Sequence, residues 1–501
     1  MQQIMFSFRG YTAPQEILDA VQKGIAGAFC LFAYNVESPV QLRALCQSLI
    51  DAAAEGGFPP PIIGIDQEGG QLMAVNGDAT QLPGNMALGA THSTALARQA
   101  GRVLGRELRA VGVNMNFAPS LDININPQNP VIGVRSFGDT AELVAELGVA
   151  LIEGMQAEGV IANAKHFPGH GDVVSDTHHG QAFVTHSLKR MQEVELLPFK
   201  AAIAGGVGAI MTAHITFSAL DDQPATISRR ILTGLLREEM GYDGLIVTDA
   251  MDMYAVARLG AYESVSAALQ AGADLIMLGH LPNQLALAEQ VAPFGNPDSA
   301  ARVMATREKL PRELLPLETL GCEEHLAIAQ AIADASITVV RGTLPLNIRP
   351  GATIAVITPI PVNLTPADTS SSVNIMLAQA VERRMYEVDD IRLPFRASEA
   401  EVQAALTKAL QADLVIIGTI AADQDLSQAG LVNALNEAGH APVVIALRTP
   451  YDLVRFPDVA AYLCTYSIRQ PSMEAVARVL FGEVSATGVL PCQLPGALLV
   501  S

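Results

Sequence analysis

Between Lys165 and Gly180 the chain carries four histidines, two aspartates, one lysine and three glycines in sixteen residues. The whole chain has ten histidines, so this is a concentration. The order is Lys165-His166-Phe167-Pro168-Gly169-His170-Gly171-Asp172, then Val173-Val174-Ser175-Asp176-Thr177-His178-His179-Gly180. Such side chains move protons, hold polar ligands or bind metals. In an extended loop, residues two apart point to the same side. Asp176 can therefore hold the imidazole of His178, set its tautomer and favour its protonated form. A histidine titrating near neutrality suits a general acid that then turns base. Gly169, Gly171 and Gly180 would let the loop move over a bound substrate. A lone Asp-x-His is more often a solvated loop; sharing a loop with Lys165 and His166 favours function. His166, His170, Asp172, Asp176, His178 and His179 are also types that bind zinc. Metal hydrolysis is the minority reading, because no H-x-x-x-H helix or cysteine partner accompanies them, and no metal or cofactor is expected.

The elements that must position this loop form a repeating pattern. Apolar strand, polar loop and amphipathic helix alternate from the N-terminus to about residue 290. Strands are expected at Ile4–Phe8, Ala28–Phe32, Ile62–Ile65, Val113–Ala118, Val160–Ala164, Gly208–Thr212, Gly244–Val247 and Asp274–Leu278. Helices are expected at Pro39–Ala54, Ser93–Val111, Ala141–Glu158, Leu188–Ala204, Ser228–Met240 and Glu263–Ala271. Most of the strands are apolar on both faces, as parallel strands covered by helices must be. Eight such units predict an α/β fold with an N-terminal TIM-like (β/α)8 barrel over residues 1–290. An open doubly wound sheet is the alternative, since periodicity cannot show closure. Residues 291–322, punctuated by Pro293, Gly295, Pro297, Pro311 and Pro316, read as a linker. A second alternation over residues 323–501 predicts a smaller three-layer α/β sandwich domain, with strands at Ile337–Val340, Ile354–Ile357, Leu414–Gly418, Val443–Leu447 and Ala461–Cys464.

In a TIM barrel the active site lies at the C-terminal ends of the strands. That rule selects Asp66 and Glu68 after Ile62–Ile65, Lys165 and His166 after Val160–Ala164, and His214 after Gly208–Thr212. It also selects Asp249 after Gly244–Val247, and Asp122 and Arg135 on the loop after Val113–Ala118. Asp274 opens its strand and reads as structural. Asp249, in Val247-Thr248-Asp249-Ala250-Met251-Asp252, is the best nucleophile candidate. A carboxylate held at a strand end can attack an anomeric carbon and form a covalent glycosyl-enzyme. Its bland reading is a helix N-cap. Asp252 is a rival, but it lies past the strand end and is expected to face solvent.

Composition narrows the partners. The formal charge of −20 repels phosphate backbones and anionic lipid, so nucleic acid and membrane surfaces are not expected partners. The start, Met1-Gln2-Gln3-Ile4-Met5, shows no signal peptide, and no apolar run is long enough to span a bilayer. The five cysteines form no C-x-x-C pair, which suits reduced core thiols in a cytoplasmic protein. There is no tryptophan, which favours a pocket for one terminal sugar over a long aromatic cleft.

The motifs resemble those of glycoside hydrolase family three, in its branch of bacterial β-N-acetylglucosaminidases. They are Gly64-Ile65-Asp66-Gln67-Glu68-Gly69-Gly70, Phe117-Ala118-Pro119-Ser120-Leu121-Asp122, and Asn129-Pro130-Val131-Ile132-Gly133-Val134-Arg135-Ser136-Phe137-Gly138. The Lys165–His178 segment, Thr248-Asp249 and Ala486-Thr487-Gly488-Val489-Leu490-Pro491 complete the set. The resemblance implies an exo-acting retaining hydrolase that releases terminal β-linked N-acetylglucosamine. Asp249 would be its nucleophile and Asp176–His178 its acid/base dyad. Asp66, Arg135, Lys165 and His166 would grip the terminal sugar, with His214 beside them. The substrate would be a small oligosaccharide or a muropeptide-like fragment from peptidoglycan recycling. Each residue also has a structural alternative. Arg135 could pair with Asp122 or Asp139, Lys165 could neutralise Asp249, Asp66 could cap a turn, and His166 could be a hydrogen-bonded core histidine. The sequence departs from the family pattern at Gln71 and Ala74, where arginines are usual, at Ala250-Met251 after the nucleophile, and at Gly180-Gln181, where a proline is usual. Two other readings stand beside the hydrolase. Phosphorolysis is one, because a histidine acid/base does not repel incoming phosphate as a carboxylate would. A non-catalytic sugar-binding protein is the other, although binding alone does not require Asp249, Asp176 and His178 together.

Overall fold

Eight short strands, nearly all buried, run parallel in chain order around one axis in the computed structural model, which describes residues 2–174, 180–349 and 351–495. They are β1 (Ile4–Met5), β2 (Ala28–Cys30), β3 (Ile62–Ile65), β4 (Met115–Asn116), β5 (Ile161–Phe167), β6 (Ala209–Thr212), β7 (Leu245–Thr248) and β8 (Ile276–Met277). Strands β2 to β7 hydrogen-bond in sequence order as one sheet. Strand β1 pairs with β8, and bridges from Phe6 to Phe29 and from Val247 to Leu275 join that pair to β2 and β7. The ring is closed, which removes the open-sheet alternative.

The strands are apolar on both faces because each face meets a core. Met5, Ala28, Cys30, Ile62, Met115, Met211, Val247 and Met277 fill the barrel interior with Phe117. Gly64 belongs in β3 because a Cβ there would stand 2.4 Å from the Phe117 ring. The outward residues, among them Phe29, Ile63, Ile65, Ile210 and Ile246, join a second core under the surrounding helices. The stretch expected as a linker contains a helix, Pro297–Glu308, that packs on the barrel. Its Val303, with Leu310, completes the interior cluster, and buried Arg307 donates to the carbonyls of Pro59 and Pro60.

Two departures from expectation have local causes. The helix expected over Leu188–Ala204 is two helices, Leu188–Glu193 and Leu197–Ala204, because Pro198 fits only the first turn of the second. Strand β5 runs three residues past its expected end. Its register against β6 shifts between Ala164 and Phe167, where three steps on β5 match two on β6.

The second domain is a six-stranded sheet of β9 (Thr338–Arg341), β10 (Thr353–Pro359), β11 (Glu387–Leu393), β12 (Leu414–Thr419), β13 (Val443–Ala446) and β14 (Ala461–Cys464). The spatial order is β9-β14-β13-β12-β10-β11, parallel except for β9. Alternate residues feed two cores. Ala355, Ile357, Val415 and Ile417 pack on one face, and Ile354, Val356, Ile416 and Ile445 on the other, which makes three layers. Met86, Ala87, Ala90 and Val134 from the barrel side join the first of these cores, so the two domains share buried apolar surface. All five cysteines carry free thiols, and among the described residues no helix is long and apolar enough to cross a membrane.

Candidate active site

Four ionisable side chains from three strand ends form a buried network on the barrel's upper face. Lys165 Nζ lies 2.6 Å from Asp66 Oδ1 and 2.7 Å from Glu68 Oε1. Arg135 clamps the same glutamate with two parallel bonds, Nη2 to Oε1 at 2.8 Å and Nε to Oε2 at 3.0 Å. Lys165, Glu68 and Arg135 are almost wholly buried, whereas the Asp66 side chain is 32% exposed and opens to the cavity. Burial raises the Glu68 carboxyl, but the Arg135 and Lys165 cations outweigh it and hold the pKa at about 2. Burial works against the Lys165 cation too, yet Asp66 and Glu68 raise its pKa above the ordinary value. Glu68, Arg135 and Lys165 are therefore ionised, and the donors are aimed before any ligand arrives. Arg135 pairs with Glu68, not with Asp122 or Asp139, and Lys165 pairs with Asp66 and Glu68.

Lys165 and His166 are neighbours in sequence, and a regular strand would send them to opposite faces. The register shift in β5 explains why both line one cavity. Behind His166, Asp122 Oδ2 lies 2.6 Å from Nδ1. Asp122 Oδ1 accepts the backbone N–H groups of His166 and His170, at 3.1 and 2.6 Å. Burial raises this carboxyl, but His166 and the N–H donors keep it well below the usual carboxylate range. A carboxylate only accepts, so His166 carries a proton on Nδ1 and presents Nε2 to the cavity. His170 is also buried against it; burial, and then the neighbouring His166, lower its pKa to about 4 and keep it neutral.

Asp249 stands one residue beyond β7 and lines the same cavity, with Oδ1 accepting the Ala250 N–H at 2.7 Å. Strand β7 is opposite β3 in an eight-stranded ring, so Asp249 faces Asp66 across the opening. His214 is placed behind this wall and not in its lining. Its Nε2 lies 2.9 Å from the Ala250 carbonyl and its Nδ1 2.7 Å from Thr226 Oγ1. The reason is local: His214 leads into the strand Ile215–Phe217, which turns away to pair with Ala182–Val184. Through its bond to the Ala250 carbonyl, His214 supports the Asp249–Ala250 turn. Asp176 and His178 lie outside the described residues. Earlier in the same loop, Asp172 Oδ2 lies 2.7 Å from His186 Nε2.

These groups surround a cavity of about 450 Å³, lined by Asp66, Arg135, Lys165, His166 and Asp249 among others. Sequence reasoning missed its other walls. Phe32, Tyr34, Asp252 and His280 stand on one side, and the C-terminal domain supplies Asn363, Pro366, Ala367, Asp368 and Thr369 on another. That second wall is pinned to the turn after Glu68. Thr369 N donates to the Gln71 carbonyl at 2.9 Å, Met73 N donates to Thr369 Oγ1 at 3.1 Å, and Gln71 Nε2 donates to the Ala367 carbonyl at 3.0 Å. Gln71 and Ala74, the departures from the family pattern, thus stand where the wall meets the barrel. Among the described residues no group of three or more histidine, cysteine or acidic side chains is placed to hold a metal ion.

Residues 1–310 match the family model for the glycosyl hydrolase family 3 N-terminal domain, and residues 340–499 match that for the C-terminal domain. The chain belongs to glycosyl hydrolase family 3. As a family 3 protein it is an enzyme of the glycoside hydrolase class. A beta-hexosaminidase A of Pseudoalteromonas piscicida is 31% identical, covering 96% of this chain and 91% of its own. Among solved structures, a family 3 β-N-acetylglucosaminidase from Paenibacillus sp. str. FPU-7 superposes with a TM-score of 0.91 at 35% identity, covering 98% of each chain. NagZ of Neisseria gonorrhoeae, solved with N-trifluoroacetyl-D-glucosamine, superposes at 0.58 and 28% identity over 67% of this chain and 98% of its own.

Proposed function

We propose that this family 3 enzyme is a retaining exo-β-N-acetylglucosaminidase. The observation that carries the reading is the convergence of Asp249 with Asp66, Lys165, Arg135 and His166 on one cavity. A terminal sugar enters with its non-reducing end against the Asp66–Lys165–His166 group. Asp66 accepts from hydroxyls, Lys165 has one N–H left to donate, and His166 meets a third hydroxyl through Nε2. The anomeric carbon then lies over Asp249. A carboxylate oxygen of Asp249 attacks it, the bond to the leaving oxygen breaks, and the Asp176–His178 pair delivers the proton. Water, deprotonated by the same pair, releases the sugar with its configuration retained. The amino-sugar preference is supported by the named activities of the beta-hexosaminidase and β-N-acetylglucosaminidase relatives.

The test is release of chromophore from an aryl β-N-acetylglucosaminide, with product analysis as inorganic phosphate is raised. Hydrolysis gives free sugar throughout; sugar 1-phosphate that increases with phosphate would move the assignment to a phosphorylase. Asp249→Ala is expected to lower kcat by about 10⁴-fold or more. A variant with wild-type turnover would sink the nucleophile assignment.

A further inference from the structure

Beside the nucleophile the cavity has an aromatic wall that the reaction scheme leaves unused. Phe32 stacks on Tyr34, with ring centroids 5.3 Å apart and planes 17° from parallel. His280 closes the cluster, 4.7 Å from Phe32 and 5.6 Å from Tyr34. All three rings line the cavity. They come from the ends of β2 and β8, and β8 is the strand next to the one that carries Asp249.

The wall is held in place by neighbouring groups. Asn35, fully buried, accepts the Phe32 N–H at 3.0 Å and donates to the carbonyls of Phe8 and Gly10 at 2.9 and 2.8 Å. The Arg9 guanidinium lies 5.1 Å over the Tyr34 ring. Asp252 Oδ2 accepts from the His280 backbone at 2.9 Å and meets its Nδ1 at 2.8 Å, which leaves Nε2 as the ring's remaining polar atom. Gly279 makes this pairing possible: at φ +61° a Cβ would stand 2.0 Å from Asp252 Oδ1.

Building on the proposed reaction, we propose that Phe32, Tyr34 and His280 form the subsite for the leaving group, and that they select a second pyranose ring. The leaving oxygen departs on the face of C1 opposite Asp249, and the group it carries takes the part of the cavity that the rings wall. A β-linked pyranose presents a face of axial C–H groups, which packs on aromatic rings as apolar surface. Its hydroxyls and acetamide lie at the rim, within the class of groups that His280 Nε2 and the Tyr34 hydroxyl bind. The chain lacks tryptophan, and this three-ring cluster supplies the apolar, rigid surface an indole would have offered.

The test compares N,N′-diacetylchitobiose with methyl β-N-acetylglucosaminide, whose leaving group is too small to stack. In Phe32→Ala and Tyr34→Ala the ratio of kcat/KM for the disaccharide over the methyl glycoside is expected to fall about tenfold. Phe32→Tyr should keep the ratio. A ratio unchanged within about twofold in both alanine variants overturns the subsite. A wild-type enzyme that cleaves neither compound overturns the proposed reaction instead. In that event binding decides: in Asp249→Ala, the disaccharide should bind more tightly than N-acetylglucosamine, and adding Phe32→Ala should remove the difference. Equal binding of the two in Asp249→Ala overturns the platform independently of turnover.

Discussion

The barrel and the C-terminal domain each bury a carboxylate completely, and they treat its charge in opposite ways. Glu68 sits between Arg135 and Lys165 and stays ionised, with a pKa of about 2. Among the described residues no cation pairs with Asp452. Its Oδ2 accepts from the Thr419 hydroxyl at 2.7 Å, and burial lifts its pKa to about 7. The difference follows the division of labour around the cavity. A floor proposed to recognise hydroxyls needs charges that are ionised and aimed in advance, and a closed network of acids and cations keeps them so at depth. The C-terminal domain meets the ligand space with Asn363, Pro366, Ala367, Asp368 and Thr369, and the Asp368 carboxylate is buried in an ion pair with Arg448. Its contribution is shape.

The largest expected effect comes from breaking the floor. Glu68→Ala leaves Arg135 and Lys165 buried with only Asp66 to face them. Removing one partner of a buried ionic cluster costs about 3–5 kcal/mol. Denaturant unfolding at neutral pH measures it, and a loss below about 1 kcal/mol would mean that the network behaves as a solvated surface pair. The wild-type pH dependence carries the same information. The folded pKa of Glu68 is below its ordinary value of 4.5, so its stabilisation is complete above that value. It is lost as pH falls through about 2, and a shift of this size corresponds to roughly 3 kcal/mol.

Asp452 should give the opposite sign. Its folded pKa lies above the ordinary 3.8, so the folded state holds the proton more tightly than the unfolded chain does. The unfolded chain therefore binds fewer protons between about pH 4 and 7, and stability falls as pH rises across that window. Asp452→Asn cannot ionise. The stability difference between variant and wild type should grow toward neutral pH, by a few kcal/mol at most after local relaxation. A difference that stays flat from pH 4 to 8 would remove the contrast between the two domains.

Much of this was legible from residue types alone. The eight barrel strands read as apolar runs because both faces of each are buried, and the strand-end rule led from them to Asp66, Lys165, His166 and Asp249. Strand β11 was not readable. It is an edge strand, and Glu387, Asp389, Asp390 and Arg392 give it the charged pattern that edges use against aggregation. The partners of the proposed sugar-binding groups were also hidden. Nothing local in Glu68 or Asp122 says that one clamps Arg135 from 67 residues away and the other His166 from 44. Phe32, Tyr34 and His280 read as scattered ring residues until the barrel closes and brings β2 and β8 within one strand of each other. Asp252 was expected to face solvent, because its partner His280 is 28 residues on and depends on Gly279 for the approach.

The smallest expected effect tests the wall of the C-terminal domain. The Thr369 hydroxyl accepts the Met73 N–H and lies 3.0 and 3.2 Å from the carbonyls of Gln71 and Met73. Thr369→Val keeps the shape and removes the hydroxyl, so the Met73 N–H loses its acceptor. The cost in stability should be about 1–2 kcal/mol. The wall would loosen without touching the scissile bond or the network below it. KM for N,N′-diacetylchitobiose should therefore rise, by about three- to tenfold, while kcat stays within about twofold. Steady-state kinetics separates the two parameters. If kcat instead falls about a hundredfold at unchanged KM, the C-terminal domain takes part in the transition state. The barrel would then no longer be the sole source of the chemistry, and the contrast between Glu68 and Asp452 would reflect local packing in each domain with no bearing on function.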